Sequence, residues 1–193
     1  GRMWLTEGLN FSHNPYQQLR VAGGQSIIVV SDGDGDGKAD KSHVFITEKS
    51  IRHAPLGIAV FDNKILLSVA PDLIVYTDVN RNAVFDRGID KREVFLTGFR
   101  GAWHDHTLHA VVGSPSGQWY FSYGNCGADV RTKDDRRFVS SSFYHNSHQT
   151  GVKSSDGHLY IGGLAMRINP DGTGLTMVGQ NLRNSHDMAV NSF

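Results

Sequence analysis

Apolar residues in this chain come in short runs, as at positions 27–30, 44–46, 58–61, 65–67, 94–96 and 110–112, each bounded by Gly, Asn, Asp or Ser within a few residues. Runs of that length, rich in Val, Ile and aromatic side chains, predict β-strands rather than helices. The strands recur in a fixed order. A turn residue leading into an apolar strand opens four segments: Gly1-Arg2-Met3-Trp4-Leu5, Asn63-Lys64-Ile65-Leu66-Leu67, Gly117-Gln118-Trp119-Tyr120-Phe121 and Gly157-His158-Leu159-Tyr160-Ile161. In the first two, an acidic turn and then a matched strand follow, Val44-Phe45-Ile46-Thr47 in one and Val94-Phe95-Leu96-Thr97 in the other. Strands at 56–61 and 108–112 are expected to close these units, and a last strand is expected at 188–190. Four strands per roughly 50–60 residues is the period of a propeller blade. The expectation is therefore an all-β β-propeller, with about three four-stranded blades at 1–62, 63–116 and 117–193. The third carries a polar, loop-like insertion at about 126–156. Three blades do not close a ring, so a larger propeller of six blades is expected to contain this chain.

Composition agrees with that pattern and narrows the partners. Among the acidic residues 16 are Asp and 3 are Glu, and there are 22 Gly, which favours turns over helices. Lys and Arg number 19 against 19 Asp and Glu, for a formal net charge of zero. With no basic run, nothing supplies the electrostatic term that nucleic-acid binding needs, so no nucleic-acid partner is expected. The apolar runs fall far short of the roughly 20 residues of a membrane-spanning helix, so no transmembrane segment is expected. The first residues read as a turn entering a strand, not as a signal peptide. Cys126 is the single cysteine, so no internal disulfide and no CxxCH haem attachment lie within the chain.

Three clusters carry candidate chemistry. In Asp32-Gly33-Asp34-Gly35-Asp36-Gly37-Lys38-Ala39-Asp40, carboxylates alternate and a Gly stands sixth, a spacing that lets a loop wrap a hard cation with oxygen ligands. Ca²⁺ is the expected ion, with Asp32, Asp34, Asp36 and Asp40 as ligands. A degenerate copy, with Asp78, Asn80, Asn82 and Asp86 at the same spacing, falls at the equivalent place in the second unit. The second cluster is His104-Asp105-His106-Thr107-Leu108-His109. An imidazole with a neighbouring carboxylate is suited to general acid–base catalysis, and Asp105 with His106 supplies that pair. A transition-metal site on His104, His106 and His109 is the alternative, although strand alternation would point His109 away from the other two. The third cluster is Arg183-Asn184, a guanidinium beside an amide, suited to binding a carboxylate or phosphate. Tyr144, His145 and His148 in the insertion are further candidates for substrate contact.

Asp105-His106, then Pro115-Ser116-Gly117-Gln118-Trp119-Tyr120 and Gly124-Asn125, resemble a pattern of soluble quinoprotein glucose dehydrogenase and glucose/sorbosone dehydrogenase-like propellers. Leu56-Gly57-Ile58-Ala59 and Ile168-Asn169-Pro170-Asp171-Gly172 followed by Leu182-Arg183-Asn184 extend the resemblance over nearly the whole chain. It is nearest to a bacterial group of membrane-bound dehydrogenase-like proteins fused to haem modules. The resemblance implies a periplasmic or extracellular oxidoreductase acting on a sugar or other alcohol. In it, His106 would remove the hydroxyl proton, Asp105 would orient His106, and hydride would pass to pyrroloquinoline quinone (PQQ), held in part by Arg183 and Asn184. It further implies an electron acceptor such as a c-type cytochrome, with any c-type haem outside this chain. The competing expectation is a non-catalytic, calcium-stabilised propeller presenting its loops to a carbohydrate or protein.

Overall fold

The computed structural model describes residues 1–8, 23–142 and 149–191. Tyr144, His145 and His148 lie outside the described residues. The named elements among them are all strands, and no helix there is long and apolar enough to cross a membrane.

The chain forms four sheets. The first is an antiparallel set of β1 (Arg2–Thr6), β2 (Gln25–Ser31) and β3 (Lys41–Glu48). The second is a four-stranded meander of β4 (Gly57–Phe61), β5 (Lys64–Val69), β6 (Asp72–Thr77) and β7 (Lys91–Thr97). The third is ordered β8 (Leu108–Gly113), β9 (Trp119–Tyr123), β13 (Gly163–Ile168), β14 (Thr176–Leu182). Between β9 and β13 the chain makes a separate sheet of β10 (Ala128–Arg131), β11 (Arg137–Ser141) and β12 (Tyr160–Ile161).

This grouping corrects three sequence expectations. Gly57–Phe61 does not close the first unit; it pairs forward with β5, and Leu108–Gly113 likewise pairs forward with β9. The reason is the two-residue turn Asp62-Asn63 between Phe61 and Lys64. Asp62 adopts a φ of 55°, the backbone a tight hairpin requires, so β4 and β5 are bound to be neighbours. Residues 188–190 form no strand. The insertion is not a polar loop, because Val130, Phe138 and Val139 are buried and its sheet has a core side of its own.

The second sheet is packed on both faces, and its alternation shows it. Ile65, Leu67 and Val69 of β5 and Ile74 and Tyr76 of β6 join the core shared with the first sheet. Leu66, Leu73 and Val75 join the core shared with the third sheet and the insertion. Burial on both sides explains the nearly unbroken apolar runs KILLSV and DLIVYT. At one point the sheets touch backbone to backbone: a Cβ at Gly57 would lie 2.7 Å from Cα and N of Ala110 in β8.

Two bulges repeat between the first and second sheets. Ile27 faces Ile46 while Ile28 faces Val44, leaving Phe45 as the extra residue; Leu73 faces Leu96 while Ile74 faces Val94, leaving Phe95. A bulge lets two successive side chains turn inward, which is why Phe45 with Ile46 and Phe95 with Leu96 are all buried.

Candidate functional site

Residues 101–107 are turns between β7 and β8, so strand alternation does not govern His104 to Thr107. Instead the turn folds back on itself. The backbone N–H of His106 donates to Nδ1 of His104 at 3.0 Å, and the two rings meet edge to face with centroids 4.5 Å apart. Asp105 Oδ1 stands 2.9 Å from His104 Nδ1 and 3.8 Å from His106 Nε2. One ligand atom from each of His104, Asp105 and His106 fits within a 4.8 Å span.

His106 is buried at 7% exposure, and its orientation is set by a residue 19 positions away: Nδ1 lies 2.7 Å from Asn125 Oδ1. An amide oxygen only accepts, so neutral His106 carries its proton on Nδ1, and Nε2, the nitrogen facing Asp105, is the basic one. The segment 124–126 that presents Asn125 is laced to the histidine turn by Gly124 N–H to Thr107 O and Cys126 N–H to His106 O. A side chain at Gly124 would meet the His106 backbone at 2.7 Å, so this close approach requires glycine there. Cys126 is buried in the same contact, and burial pushes its thiol up to about 12; it stays protonated and is no nucleophile.

The stretch after β14 supplies the other wall. Asn125 N–H donates to Arg183 O and the Ser122 hydroxyl to Ser185 O, which fixes residues 183–185 beside the end of β9. Asn184 then acts as a hub. Its Oδ1 is 2.7 Å from His109 Nε2, and its Nδ2 donates to Asp105 Oδ2 at 3.3 Å and lies 3.1 Å from His186 Nε2. Burial holds His109 below its ordinary value, against the opposing hydrogen bonds to Asn184 and to the Asp105 backbone. His109 therefore belongs to the Asn184 hub rather than to a three-histidine cluster with His104 and His106.

Arg183 and Asn184, expected to act as a pair, face different surroundings. Asn184 is committed to Asp105 and His109, whereas Arg183 is exposed on the wall of a cleft of about 210 Å³ shared with Asn125, Ser142 and Asn181. Asn125 thus touches both the imidazole and the cleft. A second cleft, of about 250 Å³, has Arg52, His53, Asp72 and Arg92 on its walls.

The two acidic loops occupy equivalent places, between β2 and β3 and between β6 and β7. In the first, Asp32 accepts Gly35 N–H and Gly37 N–H, bonds that hold its carboxyl below the usual range. Asp34 and Asp36 bring carboxylate oxygens within 4.8 Å of Asp32, while Asp40 turns to Gly33 N–H. In the second, Asp86 Oδ2 takes the side-chain N–H groups of Asn80 and Asn82, each at 2.7 Å, which lowers its carboxyl likewise.

Sequence reasoning did not foresee Asn125 as the partner of His106, nor the joining of Asn184 and His186 to His109. The latter contact spans 75 residues, and no local pattern signals it. One family model matches the chain, over residues 1–190. No curated protein and no solved structure matches it.

Proposed function

The chain belongs to the family described as a domain of unknown function (DUF7133), and from that premise we propose that its sheets are propeller blades bearing the proton-transfer site of a quinoprotein-type dehydrogenase. The substrate class is a sugar or other alcohol. The observation that carries this reading is the 2.7 Å contact of His106 Nδ1 with Asn125 Oδ1, which leaves Nε2 on the side of Asp105 as the proton acceptor. Oxidation of a carbinol needs a group to take the hydroxyl proton as the carbon is oxidised, and an imidazole of that tautomer supplies it. Asp105 provides the counter-charge for the imidazolium that forms. Asn184 holds Asp105 from its other oxygen and His109 braces Asn184, so both are positioning residues.

For PQQ, the donor set around Arg183 fits one anionic edge: a guanidinium, two amides and a hydroxyl around a cleft of about 210 Å³. That volume suits an edge and not the whole group, since small-molecule sites run from about 300 Å³ upward. When bound, such a quinone supplies the hydride acceptor. Arg183 and Asn125 are the residues of this chain that would hold it.

The test, made on the larger propeller expected to contain this chain, is dye-linked oxidation of a panel of aldoses and alcohols with added PQQ and Ca²⁺. Quinone-dependent turnover is expected, and Arg183→Ala should weaken quinone binding about tenfold through loss of a charge-assisted contact, at unchanged melting temperature. Absence of both quinone binding and dye reduction would reject the dehydrogenase reading. One observation favours a second reading, a transition-metal centre, namely the 4.8 Å grouping of His104, Asp105 and His106. Stoichiometric Zn²⁺ binding lost in His104→Ala, with no quinone binding, would select it.

A further inference from the structure

The loop between β6 and β7 contains a buried charge that the described residues leave half satisfied. Asp78 is 5% exposed. Its Oδ2 accepts the backbone N–H of Ala83 at 2.9 Å, which holds the carboxylate inside the loop. Its Oδ1 is buried and has no hydrogen-bond partner among the described residues. A carboxylate oxygen withdrawn from water without a partner is strongly disfavoured, and buried charges are found paired or on metals. The Arg81 guanidinium makes no hydrogen bond to Asp78 Oδ1, since it is bound in a fork to Asp62 at 2.6 and 2.7 Å. We propose that the Asp78 loop is a binding site for a hard divalent cation of the Ca²⁺ type, with Asp78 Oδ1, the Asp86 carboxylate and, once their amides turn from Asp86, the side-chain oxygens of Asn80 and Asn82 as its donors.

The loop is built for this. Its donors stand at first, third, fifth and ninth positions. Arg81 and Ala83 adopt φ of 61° and 62°, so the backbone coils as tightly as a glycine loop would. Asp90 closes the coil by accepting Val79 N–H and Asp86 N–H, each at 2.7 Å. Oxygen-only donors with two carboxylates and two amides suit Ca²⁺ over transition metals. The loop between β2 and β3 has no such buried, unpartnered oxygen: both oxygens of Asp32 accept backbone N–H groups, and its other acids are exposed.

The cation also has a structural consequence. The same loop inserts Phe85 against Phe45 and Tyr76, gives Phe85 N–H to Phe45 O at 2.8 Å, and offers Ala83 O to His43 Nε2 at 2.9 Å. An ion that rigidifies residues 78–86 therefore fastens the second sheet to the first.

The experiment uses the Asp34→Ala/Asp36→Ala chain, in which the other acidic loop is disabled, with Ca²⁺ as the probe. Isothermal titration calorimetry should show one Ca²⁺ per chain, and millimolar Ca²⁺ should raise the melting temperature by several degrees by mass action. Adding the exposed changes Asn80→Ala/Asn82→Ala should abolish both responses while the ion-free melting curve stays cooperative; these test the site without disturbing buried Asp78. No Ca²⁺ binding in the Asp34→Ala/Asp36→Ala chain, or binding that survives Asn80→Ala/Asn82→Ala, overturns the proposal. Neither result bears on His106, so this outcome is separate from that of the dehydrogenase reading.

Discussion

Phe45→Ala is expected to destabilise the chain by about 3–5 kcal/mol, the range for removing a large buried aromatic side chain, read as a shift in urea midpoint at constant slope. Phe45 is 2% exposed and touches three rings: Trp4 at 5.2 Å, and Tyr76 and Phe85 at 5.9 Å between centroids. Those rings come from β1, β6 and the loop after β6, so a single truncation opens a cavity where the first sheet meets the second. Relaxation is limited because Phe45 is the extra residue of a bulge whose carbonyl anchors Phe85. At about 2–4 °C per kcal/mol for a chain of this size, the melting temperature should fall by about 6–20 °C. A loss below about 1 kcal/mol would show that this interface collapses freely and does not hold the sheets together.

His106→Ala should lower turnover about 100- to 10,000-fold, the usual contribution of a positioned general base. Three controls separate chemistry from folding. The melting temperature should change little beside the loss of rate. Exogenous imidazole should restore part of the activity to His106→Gly, which a residue serving only to pack would not allow. Asp105→Asn should give a smaller loss in kcat with KM nearly unchanged, because it removes the counter-charge for the imidazolium without removing the proton acceptor.

How much of this was legible in sequence depended on how local the cause was. The strands were legible because their apolar runs and turn residues are contiguous. The repeat was legible in Val44-Phe45-Ile46-Thr47 and Val94-Phe95-Leu96-Thr97, and its bulges fall at the same residue in both. Strand grouping was misjudged, although the two-residue Asp62-Asn63 turn, a local signal, was there to correct it. The insertion reads as polar because Arg131, Lys133, Asp134, Asp135 and Arg136 crowd its turn, while the buried Val130 and Phe138 flank them. Pairing across sheets is another matter. Asp105 and His106 are adjacent in the chain, but the amides that orient them come from Asn125 and Asn184, brought there by the ends of β9 and β14. Likewise the acidic loops look alike in sequence, and burial together with hydrogen bonding distinguishes Asp78 from Asp32.

Long-range ¹H–¹⁵N correlation of the histidine side chains is the most direct measurement of the site, since it reports which ring nitrogen carries the proton whether or not a substrate is known. Neutral His106 protonated at Nδ1, with the signature moving in Asn125→Leu, is the predicted result. A proton on Nε2 would leave no basic nitrogen facing Asp105, and would contradict the assignment of His106 as the base.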